Sequence, residues 1–141
     1  MSAFITIPDY DARIHREILD ALVRQDEAII EIIEDQSIAL MRSYLNNRYD
    51  CDKIFSETAT DRNHLILMMA LDITVYNIFC VHNPQKMSQV TKDRYDRAIT
   101  WLKEVNAGKV NIDGAPLHSA DILSANSPYM TKSNRKRTNH F

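Results

Sequence analysis

The chain has 141 residues, close to one ordinary domain, and its 45% hydrophobic and 26% charged content excludes a wholly disordered or fibrous protein. Two glycines and four prolines are too little turn material for an all-β fold, so helices are favoured. The formal net charge of -2 is uneven: His118 to Phe141 holds four Lys/Arg against one acid, which leaves the remainder acidic.

In chain order, Pro8 and Asp9 open a first helical stretch, with Ile14, Ile18, Ala21 and Leu22 recurring at three- and four-residue spacing. Asp26 caps a second, longer helix, whose apolar stripe runs through Ile29, Ile30, Ile33, Leu40, Met41, Tyr44 and Leu45. Glu27, Glu31, Glu34, Asp35 and Arg42 make its wet side, and Asn46 and Asn47 mark its end. The polar stretch Arg48 to Thr60 has no sustained period and reads as a loop anchored by Phe55.

Asp61 caps a third helix that Asn83 and Pro84 stop near His82. Leu65 to Leu71 is apolar on every side, which predicts a helix at the buried centre of the domain. The stretch Leu65 to Val81 also approaches the length of a membrane span, but Asp72 at its centre would be costly in lipid, so a buried helix is the expected reading. Ser88 or Thr91 caps a fourth helix with Tyr95, Ala98, Ile99, Leu102 and Val105 inward and Gly108 as terminator. Val110, Ile112 and Asp113-Gly114 suggest a short extended piece or turn. The expected architecture is all-α: about four helices around a central apolar one over residues 1–116, then a flexible basic arm over 117–141.

Chemistry is harder to find. His15, His64, His82, His118 and His140 are scattered with no HExxH or Glu-x-x-His spacing, so no metal site is expected. The two glycines form no phosphate cradle, no GxSxG elbow is present, and no cofactor is expected. Cys51 and Cys80 build neither a disulfide scaffold nor a zinc site, and Cys80, on the apolar third helix, reads as a small hydrophobe. Met1 to Pro8 lacks the pattern of a secretory signal. Asp72 is the informative polar residue: flanked by Met68, Met69, Val75 and Tyr76 at helical spacing, its carboxylate needs a cation, and Arg94 or Arg97 on the fourth helix is the expected partner.

Three stretches form a more specific set: Asp61-Arg62-Asn63 opening the apolar helix, Asp72-Ile73 followed by Tyr76, and Arg94-Tyr95-Asp96-Arg97-Ala98 leading to Trp101-Leu102 and Gly108-Lys109. Together with Tyr44-Leu45 and Arg48-Tyr49, this set resembles a family of small phage and prophage proteins of the Mu-like type, related to the head-to-tail connectors of tailed phages. The likeness runs over residues 10–113, most of the globular part. It implies a structural virion protein of the neck, formed in the host cytoplasm and assembled as a homo-oligomeric ring, of twelve copies in connectors of that kind. The ring would lie between the portal protein and a stopper or tail-completion protein, with DNA passing through it and no membrane involved. The arm would then be a docking element, with Lys132, Arg135, Lys136 and Arg137 pairing with acidic portal groups; the alternative is a solvated tail. Two other readings remain: a helical nucleic-acid-binding regulator using the basic tail and a helix-turn-helix over residues 10–45, which Glu27, Glu31, Glu34 and Asp35 disfavour near phosphates, and a small enzyme with an unrecognised site.

Overall fold

The computed structural model describes residues 4–23 and 27–117. Among these are five α-helices: α1 (Arg16–Val23), α2 (Glu27–Leu45), α3 (Cys51–Ser56), α4 (His64–His82) and α5 (Gln89–Asn106). No strand occurs among the described residues beyond an isolated antiparallel bridge between Tyr49 and Leu117, and the fold is all-α. The expected cap Asp26 and the arm beyond Leu117, with Lys132, Arg135, Lys136 and Arg137, lie outside the described residues.

The apolar α4 is the centre, as its composition requires. Of its 19 residues 11 are buried, and α2 and α5 pack along it. Its length and hydropathy would suffice to cross a bilayer, but most of that apolar surface is buried against its neighbours. Two polar groups inside it close locally: Thr74 Oγ1 donates to the Ala70 carbonyl at 2.7 Å, and on α2 Ser37 Oγ donates to the Ile33 carbonyl at 2.8 Å. Ser37 Oγ also accepts from Asn77 Nδ2 of α4 at 3.4 Å, a polar tie between the two helices. α5 seats Ala98, Trp101, Leu102 and Val105 in the core, and Tyr95 stacks on Tyr76 of α4 with ring centroids 3.8 Å apart. Ser88 Oγ accepts from the Thr91 amide at its start, and Gly108, at φ +78°, takes the left-handed position after its end.

The ends of the domain depart from the expected pattern in four places. The first stretch is broken: Ile7–Ala12 forms a 3-10 segment, and the α-helix begins only at Arg16. Arg48 to Thr60 is not a plain loop, because Asp50 accepts from the Lys53 amide and starts the short helix α3, which buries Cys51, Ile54 and Phe55. Asp61 does not cap α4. It closes a 3-10 turn, Ala59–Asp61, while two extended residues later Asn63 Oδ1 accepts from the Leu65 and Ile66 amides at 3.1 and 3.2 Å. A cap must directly precede the first helical residue, and that residue is His64. Cys80 is exposed on α4 and is not packed as a hydrophobe.

The chain ahead of α1 works as a strap across the start of α4. Phe4 meets Phe55 edge-to-face with centroids 5.0 Å apart, and Tyr10 is fully buried. After α5, the Asp113-Gly114 turn brings the chain back, the Asp113 carbonyl accepts from Asn63 Nδ2 at 3.0 Å, and the Pro116 carbonyl accepts from the Asp50 amide at 2.9 Å.

Candidate functional site

Three sets of charged groups are held inside or at the edge of this bundle. The first is centred on Asp72, 2% exposed in the middle of α4. Arg97 of α5 donates from Nη2 to Asp72 Oδ2 at 2.9 Å, which meets the expectation that the fourth predicted helix supplies a partner. Arg94 does not bond the carboxylate directly; its Nη1 donates to the Arg13 carbonyl at 3.1 Å. The second partner is Arg13 itself, in the link before α1, with Nε 3.3 Å from Asp72 Oδ1. That contact is close enough for strong charge attraction but is not aligned as a hydrogen bond, so Oδ1 accepts none. Burial pushes the Asp72 carboxyl above its ordinary value, and the guanidiniums of Arg13, Arg97 and Arg94 pull it back only in part. Three guanidiniums around one carboxyl leave a positive surplus whichever way Asp72 is protonated.

The second set joins the strap to α2. Tyr10 Oη donates to Glu34 Oε1 at 2.5 Å, and Glu34 is 7% exposed. This corrects the assignment of Glu34 to the wet face of its helix: the strap covers it and brings a hydroxyl donor. Burial raises the Glu34 carboxyl from its ordinary value, with the Tyr10 hydrogen bond acting in the opposite sense. The third set is the clamp between Arg62 and Asp9. Arg62 donates to Asp9 from both Nη1 and Nη2, at 2.6 and 3.0 Å, and also to the carbonyls of Phe4 and Ala59, each at 2.7 Å. Burial works to raise the Asp9 carboxyl, but the hydrogen bonds from Arg62 and Thr6 outweigh it and hold it below the usual range.

Beside the Asp72 set, at the His82 end of α4, lies a groove of about 980 Å³ between α1, α4 and the start of α5. Ile14, Ile18, Val75 and Phe79 give it an apolar lining, and Arg13, Lys86 and Arg94 contribute positive charge against Glu17. Ile18 (43% exposed) and Val90 (56%) leave its walls open to solvent. His82 Nε2 is buried there without a hydrogen-bond partner.

These three sets fasten segments together: each carboxyl is engaged by a donor from another segment. Arg13, Glu34 and Arg62 were not singled out by sequence as ion-pair or hydrogen-bond partners. Arg62 stood in the quoted Asp61-Arg62-Asn63 motif, and the fold gives that motif a physical role: Arg62 ties the strap and Asn63 caps the helix. The family model described as Bacteriophage Mu, Gp36 matches residues 5–121. The chain belongs to this phage protein family. The span of the Gp36 family match takes in the strap, all five helices and the return to Leu117. No curated protein and no solved structure matches the chain.

Proposed function

We propose that this chain is a non-enzymatic structural subunit of the phage neck, assembling with copies of itself as a ring beneath the portal through which DNA passes. Membership of the Bacteriophage Mu, Gp36 family carries the reading as far as a phage protein. The step to a connector is supported by the likeness of the motifs to connector proteins and by a surface suited to protein contacts. Ile18 and Val90 stand exposed along a groove, and exposed apolar groups gathered in one place favour a partner surface over water. The partners in this reading are the portal on one side and a stopper or tail-completion protein on the other, with Lys132, Arg135, Lys136 and Arg137 available to meet acidic portal groups.

The test is to mix the full-length chain with the portal protein of the same phage and examine the product by negative-stain electron microscopy, alongside mass spectrometry of purified particles. The expected outcome is an added ring layer on the portal and the chain present in virions. A chain that leaves the portal bare, is missing from particles, and binds duplex DNA tightly in a salt-dependent way would replace this reading with a nucleic-acid-binding regulator.

A further inference from the structure

The groove at the His82 end carries two unmet demands, an apolar one and an electrostatic one. Ile18 and Val90 are half-exposed along its walls. Arg13 and Arg94 line it beside a single buried carboxyl, Asp72, and Lys86 adds a third cation against one lining acid, Glu17. An occupant that met both demands would present an apolar ridge beside a row of carboxylates.

Such a surface exists on this chain. On α2, Glu27, Glu31 and Asp35 follow one another at four-residue spacing and are all exposed, so they form one ridge. Like charges at that spacing repel one another. Next to this ridge stand Ala28 and Ile32, and Ile32 is 54% exposed. The carboxylates face away from the groove of their own subunit: Ile29 of the same helix lines that groove, and at 100° per residue Glu31 and Asp35 lie about 160° and 120° round the helix from it, with Ile32 between at about 60°.

We propose that the groove of one copy receives the Ala28–Ile32 ridge of α2 from a second copy, with Glu27, Glu31 and Asp35 turned toward the cationic rim. The inference rests on the reading that the chain assembles with itself, and it adds which two surfaces meet. Because they are different surfaces, the contact is head-to-tail, and repetition of it closes a ring or extends a filament.

The experiment uses two full-length variants in a Cys80→Ser background, in which the remaining native thiol, Cys51, is buried. One carries Ile32→Cys and the other Val90→Cys, and they are mixed under mild oxidation. The mixed disulfide is expected to exceed either like pair by about ten-fold, and Lys86→Glu in the Val90→Cys partner to lower it several-fold, with recovery when Glu31→Lys is added to the Ile32→Cys partner. Like pairs as abundant as the mixed one, cross-linking of the groove to portal instead of a second copy, or indifference to Lys86→Glu would each overturn the proposal. The two readings fail separately. Rings that form on the portal without the mixed disulfide remove this contact and leave the connector standing, whereas a strong mixed disulfide with no portal complex supports the contact and removes the connector.

Discussion

The two ends of α4, about 27 Å apart at 1.5 Å per residue, solve the same problem in opposite ways. At the His64 end the polar groups are tied from within the chain, although Leu65 stands partly exposed. Asn63 caps the helix, Arg62 holds Asp9 and the Phe4 carbonyl, and Asn63 Nδ2 ties the Asp113 turn. At the His82 end, Val81 and Val90 stand exposed and His82 Nε2 has no hydrogen-bond partner, and the groove there runs back to Arg13 and Arg94 beside the mid-helix Asp72. A helix of this hydropathy has to be covered along its whole length, so an end that the subunit leaves open is where a neighbour gains most by covering it.

The comparison can be broken by substitution. The largest loss of stability is expected from Arg13→Ala combined with Arg97→Ala, which strands Asp72 in the core; about 3 kcal/mol in a denaturant titration is expected, less than for a fully enclosed pair because Arg97 is half-exposed and Arg94 remains. Asp72→Leu together with Arg13→Met, which replaces the buried pair by apolar groups of similar size, should cost less than about 1 kcal/mol, and a loss as large as that of the double arginine variant would show that the ion cluster itself holds the bundle together. Arg62→Ala opens the closed end and is expected to cost about 2 kcal/mol, with faster amide exchange over residues 4–12 as the readout.

Smaller effects sharpen the same contrast. Asn63→Ala should cost about 1 kcal/mol and Asp61→Ala less than about 0.5 kcal/mol, because only Asn63 accepts from the amides that start α4. The strap's contacts also involve two carboxyls, its own Asp9 and Glu34 of α2, with opposite responses to pH. The raised Glu34 carboxyl keeps a proton in the folded chain that the unfolded chain has released, so its contribution falls as pH rises from the ordinary carboxylate range through the folded value. The depressed Asp9 carboxyl does the reverse: its contribution is present above the ordinary value and is lost as pH falls through the folded one. Glu34→Gln, followed by thermal melts across the acidic range, should reduce the first slope to the share of the likewise raised Asp72 carboxyl and leave the second.

How much of this the sequence disclosed follows from range. Periodicity is local, and it was enough for α2, α4 and α5, for the stop at Asn83-Pro84 and for the terminator Gly108. The need of Asp72 for a cation was equally legible, since an acid in a helix apolar on every side cannot stay unpaired, and Arg97 answers it. The strap was illegible for the opposite reason. Glu34 looks like one more acid on a wet face until Tyr10, 24 residues earlier, is laid over it. Arg13 likewise reaches Asp72 only because the first stretch breaks before Arg16, and no spacing rule foretells where a 3-10 segment hands over to an α-helix. The groove was invisible too, because its walls come from segments that are separately unremarkable and meet only in the fold.

The most direct test of the contrast is hydrogen–deuterium exchange of the full-length chain, free and in its assembled state. Added protection should concentrate at the His82 end, over α1, Pro84–Lys86 and the first turns of α5, together with the α2 ridge from Glu27 to Asp35, while Ala59–Ile66 stays as it is in the free chain. Protection gained only at Ala59–Ile66, or no gain around the groove once the subunits are assembled, would contradict the account.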